Sequence, residues 1–225
     1  MTRPTAGKAG EAPRPGTTEA KRTNNPEKTR ENILAVARHE FATKGLSGAR
    51  IDEIADRTAT SKRMIYYYFG SKEGLYLAVL EEAYARIRAH ESTLELEALP
   101  PLEALARLVR FTFDYQSSNE EFVRLVMVEN IHNGAFIARS KAIRQTNLTV
   151  IDALRDICAR GRANGTIRAD VEPIDLHMTI SALCFFAVAN RHTFSTIFDL
   201  DMTSRAALEA RRESVVATIL RSVAA

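Results

Sequence analysis

Lys62, Arg63 and Met64 stand side by side directly after a serine, at a point where a short helix can begin. Ammonium and guanidinium groups in the first turn of such a helix can donate to guanine O6 and N7, and an apolar side chain can contact a thymine methyl. The same two cations also suit an ordinary solvated helix face. Their surroundings must decide between the two interpretations.

Helical periodicity places these cations in the second of two short helices. The apolar spacing predicts a helix over 51–57, a turn over 58–60 and a second helix over about 61–67. A longer helix over about 27–44 precedes them, with Asn25 as its N-cap. Two short helices joined by a tight turn form a helix-turn-helix arrangement, although a generic helical hairpin fits the pattern equally well.

Every later segment is helical in period, and no alternating strand pattern of useful length appears. The further predicted helices cover about 71–90, 102–113, 122–128, 137–163, 173–190 and 203–223. The predicted fold class is therefore all-α, with a small N-terminal three-helix unit and a larger helical part after it. A chain of 225 residues, 45% of them apolar, can bury a sizeable core in one or two domains.

Positive charge is concentrated at the front of the chain. Residues 1–25 carry five cations and two carboxylates, whereas residues 77–225 carry 17 basic and 19 acidic side chains. Residues 1–25 are also rich in Pro, Gly, Thr and Ala, with no bulky apolar residue after Met1, so they are predicted to be a disordered basic arm. A basic front on a slightly acidic body favours an anionic partner for the N-terminal part.

Several classes of function are disfavoured by what the sequence contains. The five histidines are scattered, no cysteine pair has metal-ligand spacing, and there is no glycine-rich phosphate loop, so we expect no enzyme activity, metal or cofactor. Cys158 and Cys184 are expected to be buried, reduced thiols. The longest apolar run, 182–189, is too short to span a membrane, and no apolar signal-peptide core is present. A cytoplasmic protein without a membrane partner is expected.

The stretch over 45–77 reads GLSGARIDEIADRTATSKRMIYYYFGSKEGLYL and resembles the DNA-binding domain of the TetR/AcrR family of bacterial transcriptional regulators. The matching residues are Ser61, Tyr66, Tyr67, Phe69, Ser71, Lys72, Glu73 and Leu75. The resemblance extends over about 27–77, and the remaining helices match the family in architecture only. It implies a disordered arm over 1–25, a helix-turn-helix DNA-binding domain over 26–75 and a ligand-binding and dimerisation domain over 76–225.

The resemblance also implies roles for individual residues on double-stranded operator DNA. The predicted DNA contacts are Arg50, Ser61, Lys62, Arg63, Met64, Tyr66, Tyr67 and Lys72. Lys62, Arg63 and Met64 would face base edges, whereas Tyr66, Tyr67 and Lys72 would hold phosphates. Tyr68 and Phe69 would pack inside the small domain.

Three departures from the family pattern carry expectations of their own. Arg50 follows Ala49 where the family often has a phosphate-contacting threonine, and it can replace that contact. Ala59 stands in the turn where glycine is usual, so slight backbone strain is expected there. The helix over 51–57 is acidic, and we do not expect it to contact phosphates.

Phenylalanine-rich helices with a few polar interruptions suit a ligand cavity in the larger domain. The candidate ligand contacts are Phe111, Phe122, Glu129, His132, Asn147, Phe186, Asn190 and His192, within a wider set that adds Phe113, Met127, Asn130, Phe136, Phe185 and Phe194. For each of them, ordinary core packing or surface exposure is the alternative. The sequence does not identify the effector.

The last two long helices are expected to be apolar on more than one face and to form a homodimer interface, which implies a palindromic operator. The favoured function is a ligand-responsive transcriptional regulator, most simply a repressor that a small molecule releases from DNA. Two rival functions stay open. One is a lipid- or acyl-carrier-binding protein with a degenerate DNA-binding head, and the other is an architectural DNA-binding protein without a ligand.

Overall fold

The computed structural model describes residues 1–2 and 25–225. The prediction of a disordered basic arm over 1–25 falls on residues that lie outside this range, apart from its two ends. The described part contains ten α-helices: α1 (Pro26–Gly48), α2 (Ile51–Arg57), α3 (Lys62–Phe69), α4 (Lys72–Glu91), α5 (Pro101–Ser118), α6 (Glu120–Ile131), α7 (Lys141–Ala163), α8 (Pro173–Ala189), α9 (Arg191–Phe198) and α10 (Arg205–Val223). No strand occurs in that range, so the all-α prediction is confirmed.

Local capping explains why the first helices begin and end where they do. The Asn25 side chain accepts from the backbone N–H of Glu27 at 3.0 Å and of Lys28 at 3.4 Å, as its predicted capping role requires. Gly45 has φ 68° and ψ 176°, which breaks the helical path inside α1 at the predicted end of that helix. The residues after Gly45 then turn the chain into α2.

Two predicted boundaries in the body are wrong. Residues 137–139 form a 3₁₀ turn rather than the start of the long helix, because the Ser140 side chain caps α7 by accepting from Ile143 N at 3.1 Å. The separate helix α9 was not predicted at all. Asn190 leaves helical geometry between α8 and α9, and the two helix axes differ by 65°.

Two hydrophobic clusters organise the described residues. The first joins α1, α2, α3 and α4 to α6, and Tyr76 lies at its centre with its ring edge-on to Phe41 at 5.2 Å and to Phe136 at 5.1 Å. The second is formed mainly by α5, α7, α8 and α10 and contains Cys158 and Cys184, both buried and unpaired as expected. The helix-turn-helix head therefore shares a core with helices of the body.

No single helix in the described ranges is long and apolar enough to cross a membrane, and α8 with α9 meets that test only as a bent pair.

The turn between α2 and α3 contains the strain that the sequence suggested. Ala59 has φ 49°, in the left-handed region that costs an L-residue about 1–2 kcal/mol. The turn is nevertheless well bonded, because the Thr58 hydroxyl donates to Ile54 O at 2.7 Å and Thr60 N donates to Ala55 O at 3.0 Å.

Replacing Ala59 with Gly is therefore expected to raise the free energy of unfolding by about 0.5–1 kcal/mol, after the greater entropy of unfolded glycine is subtracted. Urea denaturation measures the change. Ala35→Gly, at an exposed interior position of α1, is the control and is expected to lower the free energy of unfolding by about 0.5–1 kcal/mol. Equal destabilisation by both substitutions would contradict the strain at Ala59.

Candidate nucleic-acid interface

Helix α3 has one fully buried residue, and its exposed side chains lie on the opposite side. Ile65 is fully buried in the first hydrophobic cluster, and the Ser61 side chain caps the helix by accepting from Met64 N at 3.2 Å. Arg63 and Tyr67 are exposed, and 78% of the Tyr67 surface is accessible. The outward side of α3 thus carries a guanidinium and a phenol on a helix held by the core.

The two predicted base-reading cations differ in their surroundings. Lys62 Nζ lies 2.6 Å from Asp52 Oδ1 of α2, and Arg50 reaches the same carboxylate at 3.8 Å. The hydrogen bond from Lys62 lowers the pKa of Asp52, so this carboxylate stays charged. Arg63 has no carboxylate within 4 Å among the described residues. Of the two cations, Arg63 is the one free to donate to a base.

Replacing Asp52 with Asn is expected to increase non-specific DNA binding, because Lys62 loses its charged partner and gains freedom to contact a phosphate. The logarithmic salt slope of binding to random duplex should become steeper by about one, and the ratio of specific to non-specific affinity should fall. Anisotropy titrations at several salt concentrations measure both.

Glu53→Gln is the matched control for this substitution. It removes a carboxylate of the same helix whose partner, Lys44, is also held by Glu40 Oε1 at 2.8 Å. Lys44 therefore stays neutralised, and the salt slope should not change. Equal slopes for the Asp52 and Glu53 variants would contradict the assignment.

The N-terminus of α4 lies against the connection between α1 and α2. The Ser71 side chain caps α4 by accepting from Gly74 N at 3.0 Å, and Lys72 Nζ donates to Ser47 O at 3.3 Å. An ammonium has three donors, so Lys72 keeps donors for a phosphate. The helix end and the ammonium together suit an anion.

Gly74 lies at the closest approach of α4 to the end of α3. A Cβ atom at this position would lie 2.1 Å from the carbonyl oxygen of Phe69. Only glycine permits this distance, which fixes α3 relative to α4.

The remaining predicted contacts are distributed as follows. Arg50 is the residue before α2, and its exposed side chain lies next to Asp52. Met64 is only partly exposed, whereas Tyr66 is exposed. Tyr68 is partly buried and packs edge-on to Tyr67 at 5.5 Å. Phe69 packs against the first cluster as expected, and the Arg30 guanidinium lies 5.4 Å from its ring.

Glu40 is a functional residue that sequence reasoning missed. Its buried carboxylate accepts from Arg50 N at 3.4 Å, pairs with Lys44 and lies 3.8 Å from the Arg57 guanidinium. These contacts hold the start of α2 against α1. The signal was present, because Glu40 falls on the apolar stripe of α1, where a charged side chain needs partners.

The eight ligand candidates do not share one cavity. Phe186 lines a cavity between α5, α8, α9 and α10, and Phe122 lines another one beside Arg38 and Tyr115. Buried Glu129 accepts through Oε1 from the backbone N–H groups of residues 136 and 137, at 2.8 and 2.9 Å.

The other five candidates have local contacts or are exposed. Asn147 donates to Ile143 O at 2.8 Å, and the His132 ring lies edge-on to Phe136 at 5.8 Å. Phe111 packs against the first cluster, Asn190 ends α8, and His192 is exposed beside Glu120.

Comparisons with known proteins agree with this geometry. Residues 33–79 match the family model of bacterial regulatory proteins of the tetR family, and residues 101–219 match the tetracyclin repressor-like C-terminal domain. Two structures share the fold: a TetR transcriptional regulator from Chloroflexus aurantiacus (TM-score 0.68, 21% identity, 88% of this chain and 98% of the other) and the ketosteroid transcriptional regulator KstR2 of Mycobacterium tuberculosis (TM-score 0.66, 18% identity, 92% and 98%).

Two curated relatives are similar across most of the sequence. The HTH-type transcriptional repressor NicS of Pseudomonas putida is 37% identical over 186 residues, which cover 83% of this chain and 88% of the relative. The HTH-type transcriptional repressor SCO4008 of Streptomyces coelicolor is 30% identical over 167 residues, which cover 73% and 80%. With an outward-facing helix-turn-helix, two matching family models and repressors as relatives, the chain belongs to the TetR family of bacterial regulatory proteins.

Proposed function

We propose that this protein binds a palindromic operator as a homodimer and represses transcription until a small molecule releases it. The observation that carries the proposal is the outer side of α3. There Arg63, which pairs with no carboxylate of residues 25–225, stands beside exposed Tyr66 and Tyr67, while Ile65 fixes the helix to the core. A cation with free donors suits base edges, and flanking phenols suit phosphates. As a bacterial regulator acting on the chromosome, the protein would work in the cytoplasm.

The described surface supports dimerisation through α8 more directly than through α10. Ile174 and Met178 form an apolar ridge on α8, with 59% and 63% of their surfaces accessible. Adjacent large apolar side chains exposed on one helix face are typical of an interface. We propose that this ridge packs on its twofold copy.

Helix α10 differs from the expectation that it is apolar on more than one face. Its valines and Ile219 are buried within the chain, and its outer side carries alanines and polar residues such as Ala210 and Ser214. A twofold partner can approach such a small-residue face closely. The pairing of α8 with α10 in a four-helix interface remains our proposal, with recognition helices about 34–36 Å apart, or a multiple of that distance.

Effector release requires a connection from the body to the head, and the N-terminus of α6 provides one. Glu121 of α6 accepts from Arg38 Nε at 2.8 Å and lies 2.9 Å from His39 Nδ1, both on α1. The adjacent Glu120 pairs with Arg191 at the start of α9. A shift of α9 can therefore reach the head through one turn of α6.

Selection of bound sequences from a random duplex pool tests the proposal. The expected result is a palindromic consensus, with two protein chains per duplex in analytical ultracentrifugation. Binding without any consensus would instead support an architectural DNA-binding protein. Failure to bind DNA, together with co-purified lipid or acyl carrier, would support the rival with a degenerate head.

A further inference from the structure

Three aromatic rings surround a cavity of 340 Å³ where α5, α8, α9 and α10 meet. Phe113 of α5, Phe186 of α8 and Phe194 of α9 line it, and the last two rings pack edge to face at 5.6 Å. Met202 and Leu208 add aliphatic surface. We call this the phenylalanine cavity. Its size falls within the range of small-molecule sites, and its walls suit an apolar, ring-shaped body.

Among the described residues, one cation lines the phenylalanine cavity, and none of their carboxylates pairs with it. Arg211 of α10 has no carboxylate within 4 Å among the described residues. By contrast, Arg212 lies 3.2 Å from Asp114, and Arg205 lies 2.8 Å from Glu209 on the same helix. A guanidinium beside an apolar cavity is a fork-shaped donor suited to a carboxylate.

The only carboxylate that lines the cavity, within the described part of the chain, is already engaged elsewhere. Asp201 Oδ1 accepts from Thr203 N at 2.8 Å and from Ser204 N at 3.0 Å, at the start of α10. The Ser204 side chain, followed by these two backbone N–H groups, lowers the pKa of Asp201 and keeps it charged. Asp201 thus holds the turn before α10, whose N-cap is Ser204, and does not pair with Arg211.

We propose that the phenylalanine cavity binds a small aromatic monocarboxylate, with its ring against Phe186 and Phe194 and its carboxylate on Arg211. This assignment rests on the proposed function in one respect, because it names the chemical class of the effector. The ring would gain edge and face contacts with the phenylalanines, and the carboxylate would gain a charge-assisted hydrogen bond.

The position of the cavity gives the ligand a route to the DNA-binding head. Phe186 and Phe194 lie on either side of the bend between α8 and α9, where Arg191 pairs with Glu120 of α6. A ligand ring that contacts both side chains would act on that bend. The dimer ridge, Ile174 and Met178, lies two to three helical turns away on α8 and does not line the cavity.

Calorimetric titration of the DNA-free protein with 2-naphthoate and benzoate tests the site. Each acid is compared with its neutral amide, which keeps the ring and loses the charge. We expect the acids to bind, and we expect the affinity of each amide to be lower by about tenfold or more. The reason is that hydrogen bonds to charged groups are stronger than those to neutral groups. Equal affinity for acid and amide would overturn the role of Arg211.

Arg211→Gln and Arg205→Gln form a matched pair of exposed substitutions on α10. The first should weaken binding of the acids about tenfold and leave the amides unchanged, whereas the second should change neither. Acid binding that survives Arg211→Gln would overturn the proposal. A second result would also overturn it: the unsubstituted protein binds neither acid, and Arg211→Gln makes its dimer dissociate more easily. A partner chain would then occupy the cavity.

Because these titrations contain no DNA, they measure ligand binding independently of operator binding. A protein that binds 2-naphthoate through Arg211 but binds no palindrome would refute the proposed function and leave the site intact. A protein that binds a palindrome but neither acid would support the proposed function and refute the site.

Discussion

Replacing Arg63 with Ala is expected to weaken binding to the selected operator by about 5- to 150-fold, corresponding to 1–3 kcal/mol. In the first turn of α3, Arg63 has no carboxylate partner among the residues that the structure describes, whereas Lys62 is held by Asp52 at 2.6 Å. Loss of its fork of donors should also relax discrimination at one base pair of each half-site. Anisotropy titrations against the operator and its single-base variants measure both effects.

Tyr67→Phe is the control for this prediction, since it removes one hydroxyl from a residue that is 78% exposed. It should weaken binding nearly uniformly across the operator variants, because a phosphate contact carries no sequence information. If Arg63→Ala also weakened all variants equally, α3 would not read bases through Arg63.

Gly74→Ala is expected to have the second large effect. The added Cβ would lie 2.1 Å from the Phe69 carbonyl oxygen, so the end of α3 must move away from α4. Forced repacking of this kind costs about 1–3 kcal/mol of stability. Because α3 also changes its position, operator affinity should fall by about tenfold or more. A tenfold loss corresponds to about 1.4 kcal/mol of binding free energy.

Gly48→Ala separates this steric effect from a general intolerance of alanine. Its Cβ would lie 3.3 Å from the Lys44 Cβ, a side-chain atom that can shift slightly. Urea denaturation should show little change for Gly48→Ala and a clear loss for Gly74→Ala. Similar losses in both variants would mean that the contact with Phe69 does not fix α3.

Local chemistry made the head predictable from sequence. Asn25, Ser61 and Ser71 each cap a helix within three residues of their own position, so neighbouring residue types sufficed to place those helix starts. The strained turn was predicted from the family resemblance instead, because Ala59 stands where the family usually has glycine, and the structure gives it φ 49°.

Contacts between distant residues were not predictable in this way. The sequence showed an acidic helix over 51–57 and a cation at Lys62, yet only the packing of α2 on α3 shows that Asp52 of that helix pairs with Lys62. The phenylalanine cavity needs four helices and the bend before α9, and residue composition gives no information on such an arrangement.

The ligand candidates also show what could not be predicted from the sequence. A polar residue in an apolar helix looks alike whether it faces a cavity or satisfies the backbone. Glu129 does the second, because it accepts from two backbone N–H groups at the turn after α6. Only one of the eight candidates, Phe186, lines the phenylalanine cavity.

The two neighbouring carboxylates at the start of α6 make the proposed connection between body and head sensitive to salt concentration. Glu121 holds the head through Arg38 and His39, and Glu120 holds α9 through Arg191, all with partly exposed side chains. Mobile ions screen such pairs as their concentration rises. In the proposed release mechanism, ionic strength would therefore change both the affinity for DNA and the ratio of operator occupancy without and with effector. In a cell under osmotic stress the response would narrow even at operators that stay occupied.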